Sequence, residues 1–450
     1  MNLPSAFQQR MQQQLPEEYH DFLAALQQTT PTSIHLNPKK PMVIDHLKEG
    51  VKWFKRGYYL GERPSFTFDP LFHAGCYYVQ EASSMFVAEM IRQIKGRLNK
   101  KRVLDLCAAP GGKSTLLLST LGDTTLLVAN EVIKSRINSL KENLYRWGDY
   151  NLLISNHDAK DYSPLDNFFD ILITDVPCSG EGLFRKQPKS ITEWSIANAQ
   201  ICASRQRRIL ADVSHLLKPG GFLIYSTCTY NPAENEEQVL WLQQEFGLQP
   251  FPLSIPETWN IKQLDYGYQF YPHHIQGEGF YACCLQKPGT TPEESPDRFS
   301  LPPKFRSLPR KQREQVQTWL KPGAYQWLLH DSGKIFVVDE CWAADLATLR
   351  RALPQSSFGL YVGEFKGKDF IPSHQLALST AINTELAAVE LDKEQAIAYL
   401  RKDPIQQLTS SPTKGWQLAR YQGHNLGWMK VLKNRINNYL PKEWRIRKQI

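Results

Sequence analysis

Short apolar runs that alternate with helix-like segments between residues 101 and 286 constrain this chain more than any other feature. The runs are mostly apolar rather than strictly alternating, as in strands that are covered on both faces of a sheet. This alternation predicts a doubly wound α/β fold of Rossmann-like type, in which ligands bind beyond the carboxyl ends of the strands. The predicted strands are 101–107, 125–131, 151–158, 169–177, 221–228 and 279–286.

The first four predicted strands each end at an acidic residue, namely Asp105, Glu131, Asp158 and Asp175. Because the carboxyl ends of parallel strands meet at one edge of a sheet, these carboxylates are expected to line one cleft. Glu131 lies 20 residues after Gly111, a spacing that suits a carboxylate accepting both ribose hydroxyls of a nucleoside cofactor. Asp158 is placed to bind the adenine amino group.

The first strand leads into a glycine-rich turn, CAAPGGKS at 107–114. Glycine lets the backbone approach a ligand closely. The turn is not a phosphate-binding P-loop, because Cys107 stands where that motif requires glycine. It does not match GxGxxG either, which weakens a nicotinamide interpretation. With the four acidic strand ends, the turn supports a cleft for a nucleoside cofactor.

Two cysteines, Cys178 and Cys228, follow strand ends in loops rich in Gly, Pro, Ser and Thr. Such thiols suit methylation of cytosine carbon-5, because a thiolate that adds at carbon-6 makes carbon-5 nucleophilic. Asp175 could supply a proton or hydrogen bond to ring nitrogen-3, and a second polar group would help expel the thiol. The attacking thiol would need local activation. The alternative is that both are small core residues, and the chemistry alone does not say which would attack.

Positive charge is concentrated towards the carboxyl terminus. Residues 301–450 hold 23 Lys and Arg against 13 Asp and Glu, whereas residues 1–300 hold 30 against 32. A cationic module on a near-neutral body indicates a polyanionic partner such as nucleic acid, although a solvated basic face explains it too.

Two smaller basic features also have both a nucleic-acid-binding and a purely structural interpretation. The segment VKWFKRGYY (51–59) suits base stacking and phosphate contact, or an ordinary strand packed on a helix. Arg185, Lys186 and Lys189 suit contact with phosphates, or a solvated loop.

Six segments resemble the NOL/NOP/Sun family of RNA cytosine carbon-5 methyltransferases and occur in the family's order. They are YYVQEASSM (77–85), LDLCAAPGGKS (104–114), ANEVIKSRINSLKENLYRWG (129–148), TDVPCSGEGLFRK (174–186), LKPGGFLIYSTCTYNPAENE (217–236) and PHHIQGEGFYA (272–282). Beyond residue 300, GEFKGKDFIPSHQLALS (363–379) and GHNLGWMKVLKNRINNYLPKEWRIR (423–447) resemble the extension of a branch that acts on small-subunit rRNA. The tail of that branch is similar to a PUA-like RNA-binding domain.

The resemblance implies S-adenosylmethionine as cofactor and RNA as partner. It makes Cys228 the nucleophile and Cys178 the residue that assists product release, with Asp175 beside them. The residues implied to hold the cofactor are Cys107, Ala108, Ala109, Pro110, Gly111, Gly112, Lys113, Glu131, Asp158 and Asp175.

Three other functions stay open: the same chemistry on tRNA, a DNA cytosine methyltransferase, and a catalytically silent RNA-binding assembly factor. The order of the two cysteines disfavours the second, and the intact cysteines and acidic strand ends argue against the third. Two departures from the family pattern, His35 and His274 in place of frequent arginines, are expected to weaken phosphate contacts rather than abolish catalysis.

The expected organisation has five parts: an N-terminal RNA-binding segment (1–95), the catalytic domain (96–290), a linker (291–305), an intermediate subdomain (306–361) and a basic PUA-like domain (362–450). Residues from about 306 to 355 look helical, and a β-rich segment follows them. No run approaches the ~18 apolar residues of a membrane span. The polar, Gln-rich start is not a secretory signal, and both points predict the cytoplasm. Eight cysteines without a CxxC pair predict neither a disulfide scaffold nor a metal site, and a monomer is favoured.

Overall fold

The computed structural model describes residues 1–43, 47–98, 101–290, 299–405, 413–433 and 435–448. The chain begins with a helical hairpin and a small sheet. Their elements are α1 (Ser5–Gln14), α2 (Tyr19–Leu26), β1 (Thr32–Leu36), β2 (Leu47–Gly50), β3 (Gly57–Leu60), α3 (Pro70–Ala74) and β4 (Tyr77–Val79). The sheet has the order β2-β3-β1-β4. The hairpin buries Phe7, Met11 and Phe22 against Phe184 and Tyr230 of the central domain, and this apolar contact fixes its position.

The central domain contains strands and helices in alternation. Its elements are α4 (Phe86–Ile94), β5 (Lys101–Asp105), α5 (Gly112–Leu121), β6 (Thr125–Asn130), α6 (Ile137–Trp147), β7 (Leu152–Ser155), β8 (Phe169–Asp175), α7 (Pro188–Glu193), α8 (Ile196–Ser214), β9 (Leu217–Thr227), α9 (Glu236–Phe246), β10 (Gln249–Pro250), β11 (Lys262–Leu264), β12 (Gly267–Phe270) and β13 (Phe280–Gln286). Strands β5 to β9 are parallel in the order β7-β6-β5-β8-β9, and β13 adds antiparallel to β9.

Two apolar clusters cover the two faces of this sheet. Helices α4, α5 and α6 contribute to one cluster, and α8 and α9 contribute to the other. The predicted doubly wound α/β fold is therefore confirmed. The strand order reverses at β5, so the crevice between the carboxyl ends of β5 and β8 is where such a sheet binds its ligand. Strand β5 ends at Asp105, two residues before the predicted end, and this leaves Cys107 in the turn.

The third part of the chain forms a sheet of its own and adds one strand to the edge of the central sheet. Its elements are β14 (Phe305–Ser307), α10 (Arg310–Val316), β15 (Tyr325–His330), β16 (Lys334–Asp339), α11 (Ala343–Ala352), β17 (Ser357–Phe358), β18 (Leu360–Lys366), β19 (Asp369–Pro372) and α12 (His374–Leu378). The sheet has the order β14-β15-β16-β18-β19. Strand β17 instead pairs antiparallel with β7, at the edge of the central sheet.

The prediction of a helical segment over 306–355 is wrong. Strands β15 and β16 form a hairpin around a turn in which Gly333 has φ +84°, a backbone conformation that glycine adopts without strain. The aromatic and β-branched residues on either side favour strands. The boundary predicted between residues 361 and 362 falls inside β18. Most of the predicted linker, 291–298, lies outside the described residues.

The last part of the chain combines a small sheet with one helix. Its elements are β20 (Ala388–Glu390), α13 (Lys393–Arg401), β21 (Gly415–Tyr421), β22 (His424–Val431) and β23 (Ile436–Asn438). The buried ammonium of Lys40 links three parts of the chain, because it donates to the carbonyls of Ala74, Arg146 and Leu378 at 2.7 to 2.8 Å.

Of the helices in the described ranges, none has the length and apolar character needed to span a membrane.

Candidate active site

The glycine-rich turn between β5 and α5 is fixed by hydrogen bonds to its backbone. The Arg136 guanidinium donates to the Ala109 carbonyl, and the Asn143 amide donates to the Pro110 carbonyl at 2.8 Å. Gly111 has φ +113°, a conformation that other residues rarely adopt. A Cβ atom at Gly112 would lie 3.3 Å from the Tyr78 ring, so glycine keeps the turn open at this point.

The acidic residue at the end of β5 is fully buried. Asp105 Oδ2 accepts a hydrogen bond from the Ser114 hydroxyl at 2.6 Å. Burial raises the pKa of Asp105 to about 7, although the Ser114 bond and the nearby Lys113 ammonium oppose that shift. Within the described residues, Asp105 Oδ1 has no hydrogen-bond partner, so an acceptor remains for a ligand at this strand end.

The acidic residues after β6 and β7 lie at the same edge of the sheet. Glu131 is buried; its Oε1 accepts from the Ile133 N–H at 2.8 Å, and its Oε2 pairs with Arg136 at 3.2 Å. Asp158 is partly exposed and caps a short 3-10 helix, accepting from the Lys160 N–H. The Asn130 amide joins the two strand ends by donating to the His157 carbonyl at 3.0 Å.

The carboxylate of Asp175, at the end of β8, links the glycine-rich turn to β9. Asp175 Oδ2 pairs with the Lys113 ammonium at 2.7 Å, and Oδ1 accepts from the Ser226 hydroxyl at 2.8 Å. Burial opposes the charged form of Lys113, but Asp175, with smaller contributions from Asp105 and Cys228, holds the pKa of Lys113 above its usual value. A charged lysine therefore lies between the turn and the two cysteine loops.

A cavity of about 180 Å³ lies beside this edge of the sheet, and of the four acidic residues only Asp175 lines it. One wall comes from the glycine-rich turn, and the opposite wall comes from β4 and the segment that follows it. The lining residues are Tyr78, Val79, Gln80, Glu81, Ser84, Cys107, Ala108, Ala109, Pro110, Gly112, Lys113 and Asp175. Gln80 and Glu81 lie in YYVQEASSM, a segment for which the sequence analysis predicted no site residue.

The two candidate cysteines lie side by side. Their Sγ atoms are 3.1 Å apart, and the Cys228 N–H donates to Cys178 Sγ at 3.3 Å. The hydrogen bond to Cys228, followed by burial, raises the pKa of the Cys178 thiol well above its usual range. Cys178 therefore keeps its proton at neutral pH. Cys107 is also protonated, because burial raises its pKa.

Two buried glutamates that the sequence analysis did not single out hold the Cys178 loop. Glu234 accepts from the Ser179 N–H at 2.8 Å and the Ser179 hydroxyl at 2.5 Å, and burial raises its pKa to about 7. Glu181 accepts from Arg10 at 2.6 Å and from the Trp194 indole N–H at 2.8 Å. Both lie in the strand-end loops whose composition drew attention to Cys178 and Cys228.

The basic residues shortly after Cys178 differ in their surroundings. Arg185 does not face solvent: its side chain is 4% exposed and pairs with Glu278 at 2.8 Å. Its guanidinium also donates to the Ala25 and Gly277 carbonyls. Neither interpretation considered for Arg185, phosphate contact or a solvated loop, fits this burial, whereas Lys186 and Lys189 are exposed.

The two histidines that replace family arginines are both engaged inside the protein. His35 is fully buried, with its ring centroid 4.9 Å from that of Trp147. His274 Nε2 lies 3.0 Å from Glu18 Oε2, and His273 Nε2 lies 3.2 Å from the same oxygen. This group joins the helical hairpin to the segment after β12. Within the described residues it is also the one set of three side chains close enough to share a metal ion.

Comparison with known proteins gives the same architecture. Residues 94–286 match the model of 16S rRNA methyltransferase RsmB/F, residues 3–82 match the N-terminal domain of 16S rRNA methyltransferase RsmF, and residues 387–446 match the methyltransferase RsmF PUA domain. The chain belongs to the RsmB/F methyltransferase family. Its cofactor is therefore S-adenosylmethionine, and its last part contains a PUA domain.

Individual relatives agree with this family. Ribosomal RNA small subunit methyltransferase F of Salmonella agona (strain SL483) is 29% identical over 465 residues, which covers 98% of this chain and 96% of that protein. A methyltransferase homologue from Pyrococcus horikoshii superimposes with a TM-score of 0.52 at 27% identity, over 60% of this chain and 91% of that one. NSun6 from Pyrococcus horikoshii has the same fold, with a TM-score of 0.53 at 19% identity over 64% and 99% of the two chains.

Proposed function

We propose that this protein transfers a methyl group from S-adenosylmethionine to carbon-5 of a cytosine in small-subunit rRNA. The observation that carries the proposal is the 3.1 Å separation of Cys178 Sγ and Cys228 Sγ, beside the Lys113–Asp175 ion pair. The RNA class rests on the relatives named small subunit methyltransferase F and on the PUA domain. A cytoplasmic location follows from such a substrate.

We assign cofactor binding to the glycine-rich turn, 107–113, with Glu131, Asp158 and Asp175. S-adenosylmethionine supplies an electrophilic methyl group when it is bound there. Two observations support the fit: the glycines keep the turn free of side chains, and Asp105 Oδ1 is a buried acceptor without a partner in the described part of the chain. Glu131 would accept the ribose hydroxyls, and Asp158 would accept the adenine amino group.

The covalent step is assigned to Cys228. Its thiolate adds to cytosine carbon-6 and forms a carbon–sulfur bond, while ring nitrogen-3 takes a proton delivered through Asp175. The electrons of the carbon-5–carbon-6 double bond become available at carbon-5, which takes the methyl group. Loss of the carbon-5 proton and of the proton on nitrogen-3 then restores the ring, and Cys228 leaves as thiolate. The Lys113 ammonium stabilises that thiolate at both ends of the reaction.

Cys178 is assigned to product release. Because its thiol keeps its proton and contacts Cys228 Sγ, it can hydrogen bond to the departing thiolate without competing as a nucleophile. The sulfur–sulfur contact is the same for both thiols, so the choice of Cys228 as the attacking residue rests on the resemblance of the two cysteine loops to the family's motifs.

Bisulfite sequencing of rRNA and tRNA from cells with and without the gene tests the reaction and the substrate together. We expect one or more small-subunit rRNA cytosines to lose methylation in the deletion strain. A changed tRNA cytosine would move the substrate to tRNA. No changed cytosine in either RNA would show that the enzyme proposal is wrong.

Variants of the two cysteines test their roles. Cys228→Ala should lose the covalent adduct with RNA that contains 5-fluorocytosine, whereas Cys178→Ala should accumulate a trapped RNA complex. Cys341→Ala, which changes an exposed cysteine of the third part of the chain, serves as the control. The opposite behaviour of the Cys178 and Cys228 variants would reverse the assignment.

A further inference from the structure

A second cavity, of about 570 Å³, lies between the N-terminal sheet and the central domain. None of its lining residues lines the cavity at the glycine-rich turn. We call it the basic groove and define it by Lys52, Lys55, Arg56, Arg92, Lys95 and Trp259. The first three belong to the N-terminal part of the chain and the others to the central domain, so the groove exists only when the two parts pack together.

The charge of the groove is strongly one-sided. Five cationic side chains line it, against one carboxylate, that of Glu89. Glu89 is buried and already accepts from Arg92 and Gln93, each at 2.6 Å. Lys52 and Lys95 each donate to a single backbone carbonyl, at 3.2 and 3.1 Å, and an ammonium has three protons to donate. Most of this charge therefore lacks an anionic partner within the lining.

The segment 51–59 divides its side chains between core and groove. Trp53 and Phe54 are 4% and 7% exposed and pack in the apolar cluster beneath the central sheet. Lys52, Lys55 and Arg56 are exposed. The aromatic residues of this segment thus serve packing, and its cations face the groove. Trp259, partly exposed on the opposite side, supplies an aromatic surface from another part of the chain.

Two helices connect the basic groove to the cavity at the glycine-rich turn, which we call the cofactor cavity. Helix α5 starts at Gly112, which lines the cofactor cavity, and reaches the groove at Thr120. Eight residues of α-helix span about 12 Å. Likewise, Ser84 lines the cofactor cavity, and Ala88, in the helix that follows, lines the groove. A single RNA molecule is long enough to occupy both sites.

We propose that the basic groove binds the phosphate backbone of the RNA substrate at a segment away from the target cytosine, with one base against Trp259. RNA fits because phosphates at regular spacing would neutralise several cations at once, and an unpaired base can stack on an aromatic side chain. That the bound RNA is the same molecule that is methylated rests on the proposed function. That the groove binds an RNA backbone does not rest on it.

The test compares Lys52→Gln/Lys55→Gln with Arg205→Gln/Arg208→Gln. The control pair removes two exposed cations from α8, which packs on the opposite face of the central sheet. Affinity for oligouridylate is measured as a function of salt concentration, and methyl transfer is measured on purified small-subunit rRNA. Each phosphate that is no longer neutralised should reduce the slope of log K against log salt by ~0.7, so the groove variant should have a slope smaller by about 1.4. Its KM for rRNA should rise about tenfold with kcat unchanged.

Further measurements separate the possible outcomes. Trp259 should cross-link to oligouridylate under ultraviolet light, and the cross-link should weaken in the groove variant. Equal salt slopes for the groove and control variants would overturn the proposal. Binding to anionic phospholipid vesicles is measured as well. If the groove variant loses vesicle binding but keeps full RNA affinity, the groove binds a membrane surface and the proposal is wrong. If wild-type protein methylates no RNA, the proposed function fails, but the oligouridylate titration still decides whether the groove binds an RNA backbone.

Discussion

At the scale of single residues, the Lys113 ammonium is the group that joins the two halves of the candidate site. It follows the glycine-rich turn, pairs with Asp175 at 2.7 Å and is close enough to Cys228 for the two charges to interact. A fixed cation beside a cysteine favours the thiolate, which is the reactive form. The position of Lys113 therefore matters for the covalent step as well as for the cofactor turn.

Lys113→Met should slow formation of the 5-fluorocytosine adduct by about 100-fold, because the attacking sulfur loses its neighbouring cation. Stopped-flow or gel-based adduct assays at saturating cofactor provide the measurement. Lys134→Met, at an exposed position near the same edge of the sheet, is the control. An unchanged adduct rate in Lys113→Met would show that the ammonium does not act on the nucleophile.

Glu234→Ala should destabilise the protein by about 2–4 kcal/mol, because the Ser179 N–H and the Ser179 hydroxyl would lose their buried acceptor. Methyl transfer should fall as well, since Ser179 is next to Cys178. Urea denaturation and turnover are measured together. Glu237→Ala removes an exposed carboxylate from the next helix and should change neither quantity. Full stability in Glu234→Ala would mean that the loop is held by other contacts.

The sequence was sufficient to predict which acidic and cysteine residues follow strand ends, because parallel strands bring their carboxyl ends to one edge. It was not sufficient for Glu234 or Glu181, whose importance depends on burial and on partners far along the chain. Arg185 illustrates the same limit. Its charge resembles that of Lys186, but its partner Glu278 lies 93 residues away, and no local pattern signals that pair.

At the scale of elements, helix α1 supports the Cys178 loop from outside the central domain. Arg10 pairs with the fully buried Glu181 carboxylate at 2.6 Å, and the same oxygen accepts from the Tyr230 N–H. Tyr230 is two residues after Cys228. One ion pair thus couples the N-terminal hairpin to both cysteine loops.

Arg10→Ala should cost about 2–4 kcal/mol of unfolding free energy and reduce turnover, because it leaves a buried carboxylate without its cation. Arg10→Ala/Glu181→Gln should be less destabilised than Arg10→Ala, since the unpaired charge is gone. A double-mutant cycle from urea denaturation measures this coupling. If the two substitutions are additive, the pair does not hold the hairpin.

Element prediction succeeded in the central domain and failed after residue 305 for a physical reason. In the central domain, the six predicted strands, β5 to β9 and β13, are apolar runs that are recognisable by themselves, whereas the short strands β10, β11 and β12 were not predicted. Strands β15 and β16 are short and lie between helices α10 and α11, whose charged residues give the segment a helical character. The turn that separates them contains Gly333, and it is the sequence signal that could have revealed the hairpin.

At the scale of the whole molecule, stability depends on histidines buried where the parts of the chain meet. His35 lies in the N-terminal sheet against Trp147 of α6, and burial lowers its pKa to about 3. Neither of its ring nitrogens has a hydrogen-bond partner within the described residues. His374, at the start of α12, has its pKa lowered to about 3 by burial as well. Each must be neutral in the folded protein.

The wild-type protein should lose stability as pH falls below about 6.5, because the unfolded chain then binds protons that the folded His35 does not. Between pH 7 and pH 5 this one group should cost about 2 kcal/mol, and the loss should continue towards the folded pKa. His35→Phe should remove that share of the loss, and His20→Phe, at an exposed position, should not. Urea midpoints at the two pH values decide between these outcomes.

Strand β17 pairs with β7 across about 200 residues of chain. During synthesis the catalytic sheet therefore keeps an open edge until the ribosome has delivered Phe358, well after the last strand of the central domain has emerged. An unpaired edge strand is a template for pairing with another chain. There is thus a stage of synthesis at which all residues of the central domain have been translated but the edge of its sheet can still pair with another chain. Translation of the third part of the chain ends that stage.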